Sequence, residues 1–530
     1  KPHQLISMKK IILVLITLIT FSCSSIKFSN DYLTSLPNTS KLNFEDTTRK
    51  NWHNLDLEID SVPGTSVERA YKELLKDLEG SKVIVAIIDT GLDIKHENLS
   101  NNIWVNNDEI INGLDDDNNG YVDDINGWNY LGSSYNETRE MTRLLRDNRI
   151  NNRKYSLVEE EIKKEIKKSN DQLNILNYYI QILEDSKEII GEYLDSDKYS
   201  IEDVNKIETE DEKLSRAKNI YKDFESYGYT KEYLNEGIEQ YNDFINYHFN
   251  SDFNGRTTND DIYDINDTDY GDSNINNIKD SESHSTHVSG IISGNRNNKD
   301  GNKGINDLVE LMVLRAIPNG DEYDKDVARA IRYAVDNGAK IINGSFGKYF
   351  SSNPEWVIDA IKYASDNDVL IIAAAGNESK DLDSLSNDNY PSDQFFNENE
   401  FSDTFIKVGA SSINLNENFT AYFSNYGKIN VDIFAPGVDI YSTVPNNKYK
   451  FQSGTSMASP VVSGVASLIM SYFPKLSAKK VKEIILESGI DIDLKIGNLG
   501  GNKHFREYSK SGKLVNAYNA LILASRSKRK

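Results

Sequence analysis

The sequence predicts an α/β fold, a parallel sheet flanked by helices on both faces, with an inserted α-helical region. Three observations carry this. Continuous apolar runs recur at 83–89, 311–316, 340–345, 369–375 and 405–410, and such runs mark parallel strands buried on both sides. Amphipathic helical patterns lie between them, at 325–337 and 354–367, as crossover connections require. From 132 to 255 the strand signal gives way to long, charged, helix-forming segments.

Taken in order, Met8-Lys9-Lys10 precedes an apolar run at 11–20 and small residues to Ser25. A basic start, a short apolar core and small residues make a signal peptide over 8–23, too short for an ordinary spanning helix. Cys23 is the one cysteine of 530 residues, so no internal disulfide forms. Its place at the cleavage point resembles a bacterial lipoprotein signal. That resemblance implies export across the inner membrane and a lipid on Cys23 as the only membrane attachment, in the cell envelope or with later release outside. Thr20 stands where that signal usually has Leu; an ordinary signal peptide with an incidental cysteine is the competing reading. Residues 24–80 form an extension or short propeptide, helical at 66–78. The core occupies 81–131 and 256–525, split by the insertion at 132–255.

Inside the insertion, Leu173, Leu176, Ile180, Leu183, Lys187, Ile190 and Leu194 are spaced by threes and fours. This is a heptad seam holding one lysine. A second helical stretch, 213–249, is rich in Tyr, Ile and Phe, so a helical hairpin is predicted. A solvated insertion without a partner is the plain reading; partner binding or substrate gating is the other. Lys+Arg number 60 against Asp+Glu 83, a net charge of −23. That disfavours nucleic acid as a partner, since phosphate binding needs a basic footprint.

Near the C-terminus Ser456 precedes a small-residue apolar run that reads as a buried helix to about 473, closed by Pro474. Pro460 is placed within about its first turn, where a missing N–H breaks little. Helices also follow at 477–488 and 514–524. A serine at a helix start is commonly only a cap. It is also where unpaired backbone N–H groups could hold an oxyanion while the hydroxyl attacks a carbonyl. Three other stretches supply what such a serine needs: Asp89 in IIDTGLD and Asn377 in AAAGNES, each ending a predicted strand, and His284 in SHSTHVSG. Alone, each reads as a turn or cap residue.

In the order Asp, His, Ser, the four motifs resemble those of the subtilase family of serine peptidases. The resemblance covers 82 to about 524, insertion apart. It implies a subtilisin-like fold and a serine endopeptidase acting on protein or peptide. In it His284 is the general base, Asp89 orients and stabilises the imidazole, and Ser456 is the nucleophile. Asn377 and the Ser456 N–H hold the oxyanion. It further implies that Ser345 and Gly347 pair with substrate backbone. Ala374, Ala375 and Gly376 wall the pocket for the residue before the scissile bond, with apolar or aromatic preference. His287, one turn on, is read as structural. The motif departs from the family at Ser285, where Gly is usual. That residue and the size of the insertion support a competing reading, a catalytically silent envelope lipoprotein binding a partner through its insertion.

Finally, Asp115, Asp117, Asn119, the Tyr121 carbonyl and Asp123 fall at alternate positions of a calcium-type loop, with Gly120 at the sharp turn. Asn126 stands where the closing glutamate would be. A structural Ca²⁺ is expected; catalysis needs no cofactor.

Overall fold

The computed structural model describes residues 26, 28, 49–149, 152–298, 302–395 and 398–527; the signal peptide and Cys23 lie outside them. Nine strands form one sheet. In chain order they begin with β1 (Val83–Asp89), β2 (Gly127–Asn129), β3 (Val309–Arg315) and β4 (Ile341–Gly344). Next come β5 (Leu370–Ala374), β6 (Phe405–Ser411) and β7 (Ile433–Pro436). Across the sheet the order is β7, β6, β5, β4, β1, β3, β2, all parallel. Lys513–Leu514 extends it beyond β7, and Ile490–Asp491 closes that edge antiparallel. The five predicted runs are β1, β3, β4, β5 and β6. The short β2, β7 and the antiparallel hairpin of β8 (Ile440–Val444) and β9 (Lys448–Gln452) were not predicted.

Alternation within β1 explains its unbroken apolar run. Val85 and Ile87 enter one core layer, with Val288 of helix His284–Ser293 and Val461 and Val465 of helix Thr455–Tyr472. Ala86 and Ile88 enter the other, with Val327 and Ile331 of helix Asp324–Asp336 and Ile361 of helix Pro354–Asp366. Both faces of the strand are dry, so neither position tolerates a polar side chain.

The described part of the expected 24–80 extension belongs to the body. Trp52, Leu57, Val62, Val67 and Leu74 join the first core layer, with Trp52 only 1% exposed. Its indole N–H donates to the carbonyls of Val438 (3.2 Å) and Asp439 (3.1 Å), at the entrance to β8. Ala517 N donates to Thr65 O at 2.8 Å, tying the same segment to the last helix. The predicted helix at 66–78 is shorter, an α-turn at Val67–Ala70 running into a π-turn at Tyr71–Leu75. Trp52→Ala is expected to cost about 3–5 kcal/mol, read as a lower denaturant midpoint. A loss below about 1 kcal/mol would mean the segment is not part of the core.

The insertion is a helical hairpin whose second arm is broken in two. A 43-residue helix, Asn152–Leu194, packs on two others, Glu212–Tyr227 and Lys231–Asp243. The predicted stretch 213–249 breaks at Gly228, whose left-handed φ of 69° caps the middle helix. Leu183, Ile190, Leu214, Phe224 and Leu234 make a separate small core. Lys187 does not sit in the seam: it is exposed, and Ser186 is buried in its place. A straight helix turns every 3.6 residues, so a 3.5-residue seam drifts by a position. The insertion's ends meet, Arg139 N donating to His248 O at 2.8 Å. Among the described residues no helix is long and apolar enough to cross a membrane.

Candidate active site

Strand register brings the predicted residues to one edge. Ile88 of β1 lies opposite Gly344 of β4, and Gly344 opposite Ala373 of β5. The next residues, Asp89, Ser345 and Ala374, are therefore neighbours at the carboxyl ends of three adjacent strands. Parallel α/β sheets bind ligands at such ends.

Asp89 is buried, and its Oδ1 lies 2.7 Å from His284 Nδ1 and accepts from Thr90 N at 2.7 Å. A carboxylate there holds the Nδ1–H tautomer and leaves Nε2 outward. Burial pulls the His284 pKa down, but the Asp89 charge and hydrogen bond outweigh it and hold it above 6.5. Glu282 fixes this helix start, accepting from Gly91 N at 2.8 Å and from Arg315 Nε at 2.9 Å. Ser285 lies in right-handed helical backbone, outside the residues with positive φ, so no strain arises where glycine was expected. Its hydroxyl is buried without a partner. His287 is structural: its Nε2 lies 3.0 Å from the carbonyls of both Ile440 and Lys450, and burial drives its pKa to about 3.

Ser456 is the second residue of helix Thr455–Tyr472, which packs on the histidine helix. Its hydroxyl donates to Ser345 O at 3.1 Å, and among the described residues His284 Nε2 has no hydrogen-bond partner. Pro460 is sixth in the helix, not in its first turn, and so leaves the Ser456 carbonyl without its i+4 donor. The Ser345 hydroxyl supplies that donor at 2.9 Å, a role the sequence did not signal. Asn343 Nδ2 donates to the same hydroxyl at 3.0 Å and Ser459 Oγ lies 2.8 Å from it.

Asn377 Oδ1 accepts from Thr455 N (2.8 Å) and Thr455 Oγ1 (3.0 Å). These two donors fix the amide's orientation, so Nδ2 is presented beside Gly454, 3.7 Å from where a Cβ there would stand. Thr455, which sequence reasoning passed over, is thus the residue that aims Asn377. Asn377→Ala is expected to lower kcat about 10²–10³-fold with little change in KM; an equal kcat would remove this amide from oxyanion binding.

Beside the site lies a cavity of about 470 Å³, lined by Ser283 and Gln452 and, from the insertion, Glu236, Glu239 and Asp243. An ion pair from Lys450 of β9 to Glu236 (2.6 Å) joins the insertion to the hairpin that leads to Ser456.

The acidic loop gathers differently than expected. Asp115 and Asp117 come together with Glu109, one carboxylate oxygen from each lying within 4.8 Å of the others. Asp123 is outside this trio, because its carboxylate accepts the N–H groups of Asn112 (2.8 Å) and Gly113 (3.0 Å). Asn119 Oδ1 accepts from Tyr121 N at 2.8 Å, and the Tyr121 ring packs on Trp128 and Tyr333.

Known proteins resemble this chain in sequence. The family model described as "Subtilase family" matches residues 80–509. A thermophilic serine proteinase of Bacillus sp. (strain AK1) is 38% identical over 212 residues, 39% of this chain and 46% of that protein. Subtilisin DY of Bacillus licheniformis is 35% identical over 204 residues, 38% of this chain and 69% of that protein. The cell wall-associated protease of Bacillus subtilis (strain 168) is 32% identical over 234 residues, 44% of this chain and 24% of that protein. The chain thus spans less than half the length of the first and third of these. A solved structure, that of the prenylagaramide maturation protease PagA, is 28% identical with a TM-score of 0.37, over 46% of this chain and 83% of that one. With its family model matched over most of its length and its motifs gathered at one sheet edge, the chain belongs to the subtilase family.

Proposed function

We propose that the protein is a serine endopeptidase that cleaves peptide bonds through Asp89, His284 and Ser456, with Asn377 and the Ser456 N–H binding the oxyanion. The observation that carries this is the Asp89–His284 contact of 2.7 Å at the strand end next to Ser345. Neutral His284 takes the Ser456 proton as Oγ attacks the carbonyl carbon, and the new oxyanion falls between Asn377 Nδ2 and the helix start. The imidazolium, stabilised by Asp89, then protonates the leaving amine, and water repeats the sequence to release the acid. An extended substrate adds as a strand between 345–347 and 374–376 through main-chain hydrogen bonds. Labelling of Ser456 by a fluorophosphonate tests this; a folded protein that resists labelling would overturn it.

Export and a lipid on Cys23 remain part of the proposal, and similarity to a cell wall-associated protease supports an envelope location. The Glu109, Asp115 and Asp117 carboxylates are hard oxygen donors of the kind Ca²⁺ prefers, and a cation there would relieve their mutual repulsion. Its role would be structural. Adding a chelator is expected to lower the melting temperature, and Asp115→Asn to remove that response; a chelator-insensitive melt would exclude the cation.

A further inference from the structure

We propose that Asn389 determines specificity at the base of the pocket for the residue before the scissile bond, selecting a neutral side chain that ends in a carboxamide, glutamine or asparagine. This rests on the proteolytic reading above and on 345–347 and 374–376 as the pocket walls.

The segment carrying Asn389 is fixed beneath the first wall. Lys348 N donates to Tyr390 O at 3.0 Å and Tyr390 N returns a bond to Lys348 O at 2.8 Å. Asn389 is buried, 8% exposed, and its Nδ2 stands 3.6 Å from where a Cβ on Gly347 would be. The lack of a side chain at Gly347 therefore leaves this amide facing the gap.

The amide's orientation is set from behind. Lys407 of β6 is buried, and its Nζ lies 2.6 Å from Asn389 Oδ1. Burial pulls the lysine down to about 8 against the charges of Asp393 and Asp432, so at neutral pH it remains an ammonium and only donates. Oδ1 must face it, and Nδ2 must face the Gly347 side. Among the described residues Nδ2 has no acceptor.

A polar contact spans the two walls. Tyr349, two residues beyond Gly347, crosses to the second wall and donates its hydroxyl to the Glu378 carboxylate. Asn425 Nδ2 holds the same phenol oxygen at 2.7 Å. A Cβ on Gly376 would stand 3.0 Å from both Tyr349 Oη and Glu378 Oε2. The crossing sets a carboxylate at the second wall, and that carboxylate repels an acidic side chain. An apolar side chain would dehydrate Nδ2 without giving it an acceptor, whereas a carboxamide oxygen satisfies it. Sites built to hydrogen-bond their substrate reject analogues that lack the partner far more strongly than apolar pockets reject a missing methylene. This reading differs from the apolar preference implied by family resemblance.

The test uses the full chain and peptide substrates identical except for Gln, Leu or Phe before the scissile bond. Wild type is expected to show kcat/KM for Gln at least about tenfold above Leu and Phe. Asn389→Leu and Asn389→Asp, the latter replacing the donor by an acceptor, should each erase that ratio. Labelling of Ser456 by a fluorophosphonate, which puts no side chain in this pocket, reports that each variant is folded. Wild type that cleaves after Leu or Phe as well as after Gln, or labelled variants that keep the Gln ratio, would overturn the assignment of Asn389. Wild type that is not labelled at all would overturn the proteolytic reading on which it rests.

Discussion

Ser456→Ala is expected to lower kcat for peptide hydrolysis by about a million-fold, since residues that act as one catalytic unit lose nearly all of it when the nucleophile goes. Some acceleration over water should persist, about 10³–10⁴-fold, because Asn377 and the substrate walls still bind the transition state. The variant should fold normally. The hydroxyl it removes makes one hydrogen bond, to Ser345 O at 3.1 Å, and the Ser456 carbonyl keeps its donor from Ser345 Oγ. Single-turnover assays beside a melting curve check both halves. A stable Ser456→Ala protein with near wild-type turnover would mean that the nucleophile lies elsewhere.

Asp89→Asn should cost about 10⁴-fold in kcat, because the amide favours the wrong imidazole tautomer and cannot stabilise the imidazolium. It should also move the pH profile. The folded pKa of His284 lies above 6.5 because Asp89 outweighs burial, and the active form is neutral. The rate in wild type should therefore rise with pH, with a midpoint above 6.5. With the charge gone, burial alone acts and the midpoint should fall below 6.5. Stability follows the opposite sense. The pair's contribution is fully present below pH 6.5 and is lost as pH rises through the folded pKa. An unchanged midpoint in Asp89→Asn would show that another group controls the limb.

Residues whose environment is set by nearby sequence were legible. Asp89 ends an unbroken apolar run, and doubly buried β1 can be little else than a central parallel strand. The same holds for β5 leading to Asn377. What escaped depended on contacts between distant segments. β2 is three residues long and pairs with β3, so no periodicity announces it. Thr455 and Ser345 look like ordinary polar residues until Asn377 and the carbonyl orphaned by Pro460 are beside them. Glu109 joins Asp115 and Asp117 from six residues upstream, outside the alternating pattern that suggested a loop. The heptad seam failed at Lys187 for a local reason, the drift of a straight helix against a seven-residue repeat.

The meeting of Arg139 with His248 bears on how the chain finds this arrangement. Asp89 and His284 are 195 residues apart, a separation that would make their encounter slow in an unfolded chain. The insertion has its own small core, and its early collapse would bring its ends together. Once its ends are joined, the strand bearing the acid and the helix bearing the base are tethered by a much shorter effective path, and the entropy of closing that path falls accordingly. The same short-circuit lets the far ends of the insertion's helices change in length without moving the two residues it separates.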